Sequence, residues 1–256
     1  MVRSMTITRP KVALLVTCLV DLFRPSIGFA AVKLIKDAGC DVKVPRTQTC
    51  CGQPAYNSGD QTTTIEIAKN VINTFENFDY VVAPSGSCAG MIKEHYIRLF
   101  HQDPVWQKKS EDLGGRVYEL ISFLTDVIGI TNIPGIYRAN FTYHDSCSGL
   151  RELGIKKQPR KLLSSIQGLS IKEYEDAETC CGFGGTFCIK YSQISDKIVT
   201  TRIEKLTAAG ADLLLGGDLG CLINLAGKLK REKSSIQVRH TAEILAGFNN
   251  DPAIGD

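Results

Sequence analysis

The feature that most constrains the fold of this chain is a Cys-Cys-Gly sequence that occurs twice. The pair Cys50-Cys51 lies in TQTCCGQPAYNSG, and it returns 130 residues later as Cys180-Cys181 in ETCCGFGGTF. Each pair has one further cysteine well upstream and another well downstream. The two sets of four thiols are Cys18, Cys50, Cys51 and Cys88, and Cys147, Cys180, Cys181 and Cys221. This spacing predicts an internal duplication, with two domains in 256 residues.

Short apolar runs alternate with helical patterns in both halves. In the first half we expect strands at 12–17, 42–44, 80–84 and 116–120, and helices at 27–38, 61–77, after Cys88 and at 121–129. The stretch 101–115 is polar and reads as irregular. In the second half the same order is expected at 141–147, 158–166, 169–174, 192–209, 211–221, 222–231 and 236–248.

This alternation predicts the fold class α/β, with two similar tandem domains, each a small parallel sheet flanked by helices. We expect the first domain at 1–130, a linker at 131–136 and the second domain at 137–256. Ligands of such sheets bind beyond the carboxyl ends of the strands. Every thiol of the two sets follows a predicted strand, so each set should gather at that edge.

Four interpretations compete for each set of thiols. Isolated cysteines are often small buried hydrophobic residues, which suits Cys40 and Cys188 but does not explain two adjacent pairs. A disulfide between adjacent cysteines would close a strained ring. A structural zinc usually takes Cys-x-x-Cys pairs that converge on one ion. An iron-sulfur cluster offers several irons to adjacent thiolates, and Gly52 and Gly182 would let the backbone approach it. The spacing favours the cluster and leaves zinc open.

Composition excludes some partners. Lys and Arg number 30 against 27 Asp and Glu, without a basic run, so nothing indicates nucleic acid or an anionic membrane. The apolar run near the start is interrupted by Thr17, Cys18 and Asp21, so we expect neither a signal peptide nor a membrane span. Ten cysteines then suit metal or redox chemistry in the reducing cytoplasm. No phosphate-binding loop or dinucleotide fingerprint is evident.

The motifs together resemble a known family. TCLVDLFRPSIGFAAVKLI, TCCGQPAYNSG, APSGSCAGMIKEHY, YHDSCSGLREL, ETCCGFGGTF, GDLGCLINLAGKLKR and VRHTAEILAG are similar to stretches of the cysteine-rich, or CCG, domain. That domain occurs in one of the subunits of heterodisulfide reductase and in the iron-sulfur subunit of glycolate oxidase. The nearest resemblance is to the lactate utilization protein A group.

The resemblance implies an iron-sulfur electron-transfer component of a multi-subunit complex that oxidises L-lactate to pyruvate. All eight thiols of the two sets would be ligands, with one [4Fe-4S] cluster in each domain. Partners would include a ferredoxin-type iron-sulfur protein. Alternatives are glycolate oxidation, heterodisulfide-type reduction, or a non-catalytic zinc-binding or assembly protein. No residue is an evident acid, base or hydride acceptor, so the substrate is left open.

Two departures qualify this expectation. Met91 and Asn224 stand where the heterodisulfide reductase pattern has a further cysteine, which argues against a five-thiolate cluster. Ser148 stands where many relatives show a histidine, so the second site departs further from the family pattern. His144, Asp145 and His240 lie at predicted strand ends, where a side chain could hydrogen-bond a cluster sulfur and tune its potential.

Overall fold

A computed structural model describes residues 9–174 and 176–256. Within these residues the two halves form one parallel four-stranded sheet each, with strand orders β2-β1-β3-β4 and β6-β5-β7-β8. The two orders are the same when the strands are counted within each half, so the predicted fold class is confirmed. The first eight residues of the predicted first domain lie outside the described part of the chain.

The elements of the first half follow the predicted alternation. Its strands are β1 (Lys11–Leu14), β2 (Asp41–Lys43), β3 (Tyr80–Ala83) and β4 (Val117–Glu119). Its α-helices are α1 (Cys18–Phe23), α2 (Pro25–Asp37), α3 (Gln53–Asn57), α4 (Gln61–Phe75), α5 (Gly86–Gly90), α6 (Tyr96–Leu99), α7 (Pro104–Gly114) and α8 (Leu120–Ser122). Turns of π-helix cover Met91–His95 and Phe123–Val127.

The second half repeats this order with fewer helices. Its strands are β5 (Ile136–His144), β6 (Gln167–Ile171), β7 (Leu213–Gly216) and β8 (Gln237–His240). Its helices are α9 (Cys147–Arg151), α10 (Lys157–Leu163), α11 (Phe187–Lys190), α12 (Ser192–Ala208), α13 (Leu219–Arg231) and α14 (Thr241–Ala246).

One predicted irregular segment is a helix. The stretch 101–115 contains α7, which begins with Pro104 after Asp103. The Asp103 carboxylate accepts a hydrogen bond from the Trp106 backbone N–H, and proline suits the first turn of a helix because it lacks an N–H. Leu113 is buried against the first-half core, so packing adds to capping in a sequence with few apolar residues. Strand β5 also begins at Ile136, inside the stretch expected to be linker.

The two halves pack around an approximate two-fold axis. Helix α2 packs on α14, and the corresponding helices α10 and α8 pack on each other. The buried Glu243 carboxylate joins α14 to the start of α2, since it accepts hydrogen bonds from Arg24 Nε at 2.8 Å and Ser26 Oγ at 2.7 Å. One hydrophobic core includes residues of both halves, among them Ile27 and Leu245. The helices beyond the carboxyl ends of the strands also meet across the halves, since α1 contacts α13 and α5 contacts α9.

Candidate metal centres

Each set of thiols is assembled at the carboxyl edge of one sheet. Cys18 is the first residue of α1, just beyond β1, and Cys147 is the first residue of α9, just beyond β5. Cys88 lies in α5, where the Ser85 hydroxyl accepts a hydrogen bond from its N–H at 3.3 Å. Cys221 lies in the first turn of α13. Helices thus follow the first and third strands of each half, and they carry four of the eight thiols.

The adjacent cysteines lie in tight turns that depend on glycine. Gly52 and Gly182 have φ angles of 84° and 83°, in the left-handed region that disfavours a side chain. Their N–H groups donate to the sulfurs of Cys50 at 3.4 Å and Cys180 at 3.3 Å. A Cβ on Gly182 would lie 2.9 Å from the Ser195 carbonyl oxygen. The glycines therefore aim a backbone donor at one sulfur of each set.

The thiols contact one another in the same order in both sets. The sulfurs of Cys18 and Cys50 lie 3.7 Å apart, too far for a disulfide bond, and all ten cysteines are free. The Cys51 thiol lies against those of Cys50 and Cys88. The second set repeats the chain of contacts from Cys147 through Cys180 and Cys181 to Cys221.

The close approach of four thiols changes their acidity. Hydrogen bonds from the Cys18 and Cys51 thiols hold the pKa of Cys50 far below its usual range, and the thiols of Cys147 and Cys181 do the same for Cys180. The same contacts, with burial, raise the pKa values of Cys18 and Cys51. One thiolate per set is thus stabilised by its neighbours. Four thiolates at these distances need a cationic centre between them.

The two sets differ in the space beside them. The first set lines a cavity of about 410 Å³, and the second lines one of about 100 Å³. Both cavities include residues of the opposite half. Phe183 lines both of them, as do Gln53, Ser87, Gly185 and Asp218. The two candidate centres therefore share a wall at the interface between the halves.

Hydrogen bonds to Asp218 connect the two halves within this wall. Its buried carboxylate accepts hydrogen bonds from the Ser85 hydroxyl at 3.0 Å, the Ser87 hydroxyl at 2.8 Å and the Ser87 N–H at 2.8 Å. Asp218 and Ser85 precede α13 and α5 at equivalent positions of the two halves. The contact between them therefore lies at the approximate two-fold axis.

The three side chains proposed to tune a cluster have different surroundings. A ring nitrogen of His144 lies within 4.8 Å of the Cys181 and Cys221 sulfurs. The Asp145 carboxylate instead accepts two hydrogen bonds of 2.9 Å from Arg160. His240 caps α14, where its Nδ1 accepts a hydrogen bond from the Ala242 N–H. In the described residues only His144 of these three forms a ligand-distance group with the thiols.

Several residues at the sites were not predicted from the sequence. The Cys51 carbonyl accepts a hydrogen bond from the Tyr96 hydroxyl at 2.8 Å, and the Cys181 carbonyl accepts one from the Asn224 side chain at 2.9 Å. Cys188, expected to be an inert buried thiol, lines the first cavity from the second half, whereas Cys40 is buried in the core as expected. Arg202 lies near the second set, at a core-facing position of α12. A charged residue among the apolar positions of α12 was the available signal for it.

The family model of the cysteine-rich domain, CCG, matches residues 12–93 and again residues 141–226. The chain belongs to this family. Each matched segment contains one complete set of four thiols and the second and third strands of one half. The internal duplication is therefore a duplication of a CCG domain.

Two proteins that are similar to this chain over most of its length are named for lactate utilization. Lactate utilization protein A 2 of Bacillus cereus (strain Q1) is 46% identical over 236 residues, which cover 92% of this chain and 98% of that protein. Lactate utilization protein A of Geobacillus sp. (strain WCH70) is 46% identical over 235 residues, again 92% and 98%. These matches confirm the resemblance that the motifs indicated.

A solved structure shares the fold. A hypothetical protein from Helicobacter pylori superposes with a TM-score of 0.67 at 11% identity, over 95% of this chain and 50% of that one. No helix in residues 9–174 and 176–256 combines the length and the apolar character needed to span a bilayer.

Proposed function

We propose that the chain is an iron-sulfur electron-transfer component of a cytoplasmic, multi-subunit system that oxidises L-lactate to pyruvate. The observation that carries the proposal is the pair of four-thiol sets, each beside a cavity. The cavity of about 410 Å³ at the first set offers more room than a single ion needs. Thiolates are the usual ligands of iron-sulfur clusters, and such clusters would supply one-electron transfer when bound. The relatives named for lactate utilization supply the substrate.

In this proposal the chain's own residues hold and shield the clusters. Cys18, Cys50, Cys51 and Cys88 would bind the first, and Cys147, Cys180, Cys181 and Cys221 the second. The N–H groups of Gly52 and Gly182 stabilise negative charge on one sulfur of each set. Electrons must come from another subunit, because the chain offers no evident group that takes a hydride from lactate.

The first cavity is where a partner would exchange electrons. Phe23 and Ile189 line it and are 67% and 80% exposed, one from each half. An apolar rim over a redox site suits a protein partner, and a ferredoxin-type protein is the one that the family resemblance implies. The variants Phe23→Ser and Ile189→Ser should slow electron exchange with that partner without changing the iron content.

The test is anaerobic preparation followed by reduction with partner subunits. We expect brown protein with iron and sulfide in near-equal amounts, and reduction by L-lactate only when the partners are present. D-lactate, glycolate and a disulfide substrate serve as comparisons. If glycolate reduces the clusters, or a disulfide oxidises them, while L-lactate has no effect, the corresponding alternative function is the correct one.

A second candidate is a structural zinc in each set, within a non-catalytic binding or assembly protein. The 3.7 Å between the Cys18 and Cys50 sulfurs is close to the edge of a tetrahedron whose zinc-sulfur bonds are about 2.3 Å long. Colourless protein that keeps zinc after anaerobic reconstitution with iron and sulfide would select this candidate.

A further inference from the structure

The two sets of thiols have different charged surroundings. His144 stands three residues before Cys147, where the first half has Leu15 three residues before Cys18. Ile198 packs near Gly182, and Ile67 packs near Gly52 at the corresponding position of the first half. Four residues after these isoleucines, the second half has Arg202 and the first half has Val71. The side chains of His144, Leu15, Arg202 and Val71 are all buried. The second half has thus placed a histidine and an arginine where the first half has two aliphatic residues.

Arg202 is a buried cation without an acidic partner among the described residues. It is 1% exposed, and its guanidinium donates to the Asp176 carbonyl at 2.6 Å and the Thr179 hydroxyl at 2.8 Å. Its carbon Cζ lies 4.8 Å from the centre of the Tyr174 ring. No carboxylate in residues 9–174 and 176–256 lies within salt-bridge distance of it. A buried charge is costly, so an anionic group at the second set would stabilise Arg202.

Arg202 also determines which ring nitrogen of His144 carries a proton. One guanidinium nitrogen lies 2.9 Å from His144 Nδ1, and because arginine only donates, Nδ1 must accept. Because Nδ1 accepts, the ring is neutral and carries one proton. Its one proton therefore resides on Nε2. Nε2 is buried and has no hydrogen-bond partner in the described part of the chain.

The thiols of the second set lie beside His144 and could use this remaining donor. A ring nitrogen of His144 lies within 4.8 Å of the sulfurs of Cys181 and Cys221. Sulfur atoms of a thiolate-bound cluster accept hydrogen bonds, and both such bonds and nearby positive charge make reduction easier. Asp218 lines both cavities, and its carboxylate is hydrogen-bonded to Ser85 and Ser87 of the first half.

Resting on the proposed function, we infer that Arg202 and His144 are positioning residues that raise the reduction potential of the second centre above that of the first. Arg202 acts through its charge and by holding the Nε2–H tautomer of His144. In the iron-loaded protein this Nε2–H would donate to a sulfur at the second centre. Electrons that enter at the wide first cavity therefore move toward the second centre, and the chain has a built-in direction of electron flow.

The experiment compares Arg202→Met with its first-half counterpart Val71→Met in iron-loaded protein, by potentiometric titration followed by electron paramagnetic resonance. We expect Arg202→Met to change the reduced-to-oxidised ratio of one centre at least tenfold toward the oxidised form at a fixed potential, a shift of ~59 mV for one electron. Val71→Met and the other centre should not change. His144→Leu should act in the same direction, and Arg202→Lys should restore part of the shift.

A second measurement does not depend on iron. Nitrogen-15 NMR of metal-free protein should show His144 as the Nε2–H tautomer, and Arg202→Met should abolish that preference. A Nδ1–H tautomer in the unaltered chain, or equal potentials of the two centres in all variants, would overturn the inference. If no variant takes up iron, the proposed function fails and the ranking of potentials fails with it. Iron uptake with unchanged potentials would refute the inference alone.

Discussion

The hydroxyl of Tyr96 donates a hydrogen bond of 2.8 Å to the backbone carbonyl of Cys51. Both residues are buried, and Tyr96 comes from the helix that follows the Cys88 segment. The bond therefore joins the turn that carries Cys50 and Cys51 to the helical segment that follows Cys88. In the second half the Asn224 amide donates the equivalent bond to the carbonyl of Cys181.

The first prediction concerns this bond. Tyr96→Phe should lower the free energy of unfolding of the metal-free protein by about 1–3 kcal/mol, since it leaves a buried carbonyl without its partner. It should also weaken iron retention by the first set. Urea denaturation and iron analysis measure the two effects. Tyr191→Phe, at an exposed tyrosine, is the control. A Tyr96→Phe variant as stable as the control would contradict the assigned role.

The second prediction concerns pH. Burial raises the pKa of Glu119 to about 8, against an ordinary value of 4.5. A raised carboxyl pKa means that the folded protein holds the proton more tightly. The stability linked to this proton is therefore complete below pH 4.5 and is lost as the pH rises toward 8.

Glu119→Gln should remove this loss, because a glutamine oxygen can still accept from the Ile121 and Ser122 N–H groups. We expect the variant to be more stable than the unaltered chain at about pH 9, by up to about 4 kcal/mol, with little of that advantage at about pH 5. Thermal unfolding at a series of pH values measures it. Glu111→Gln, on the surface of α7, should not alter the pH profile. Parallel profiles for both variants would show that Glu119 ionises normally.

The third prediction concerns the turn of the second pair. Gly182→Ala must accept a positive φ and also place a Cβ 2.9 Å from the Ser195 carbonyl oxygen. Gly210→Ala has a positive φ of 66° but meets no atom within 4 Å. Each should cost about 1–2 kcal/mol for the backbone, and Gly182→Ala should cost more because of the contact. Equal unfolding free energies of the two variants would mean that the turn shifts enough to relieve the contact between the new Cβ and the Ser195 carbonyl oxygen.

The fourth prediction tests the ligands. Cys18→Ser and Cys147→Ser each replace a soft thiolate with a hydroxyl, so each should lower bound iron by about half. Because Ser148 departs from the family pattern, we expect Cys18→Ser to have the larger effect. Cys40→Ala, at a buried thiol that lines neither cavity, should keep the full iron content. Iron unchanged in both serine variants would disprove the cluster assignment.

The sequence predicted the sheets and the edge at which the thiols gather. This was possible because buried parallel strands such as Tyr80–Ala83 are continuous apolar runs, and because the thiols follow them directly. Helix α7 was missed because its apolar residues are few and its start depends on the Asp103 cap. The short helices that begin at Cys18 and Cys147 were missed because they have too few residues for a period to be recognised.

The shared wall of the two cavities could not be predicted. It depends on how the halves pack, which brings Cys188 to the first site and Gln53 to the second, and no periodicity within either half encodes that contact. Arg202 was missed for a related reason. Its neighbours in the fold are distant in sequence: His144, the Asp176 and Ala177 carbonyl groups and the Thr179 hydroxyl.

The meeting of Ser85 and Asp218 at the approximate two-fold axis bears on how such a chain can diverge. In a symmetric dimer of single domains the residue at this position would face its own copy, and two buried aspartates there would repel each other. Fusion of the two copies into one chain removes that constraint, since one copy can keep a hydroxyl donor while the other acquires a carboxylate acceptor. The same freedom allows one half to keep Leu15 while the other has His144. Covalent linkage thus permits two sister sites to specialise while they share one interface.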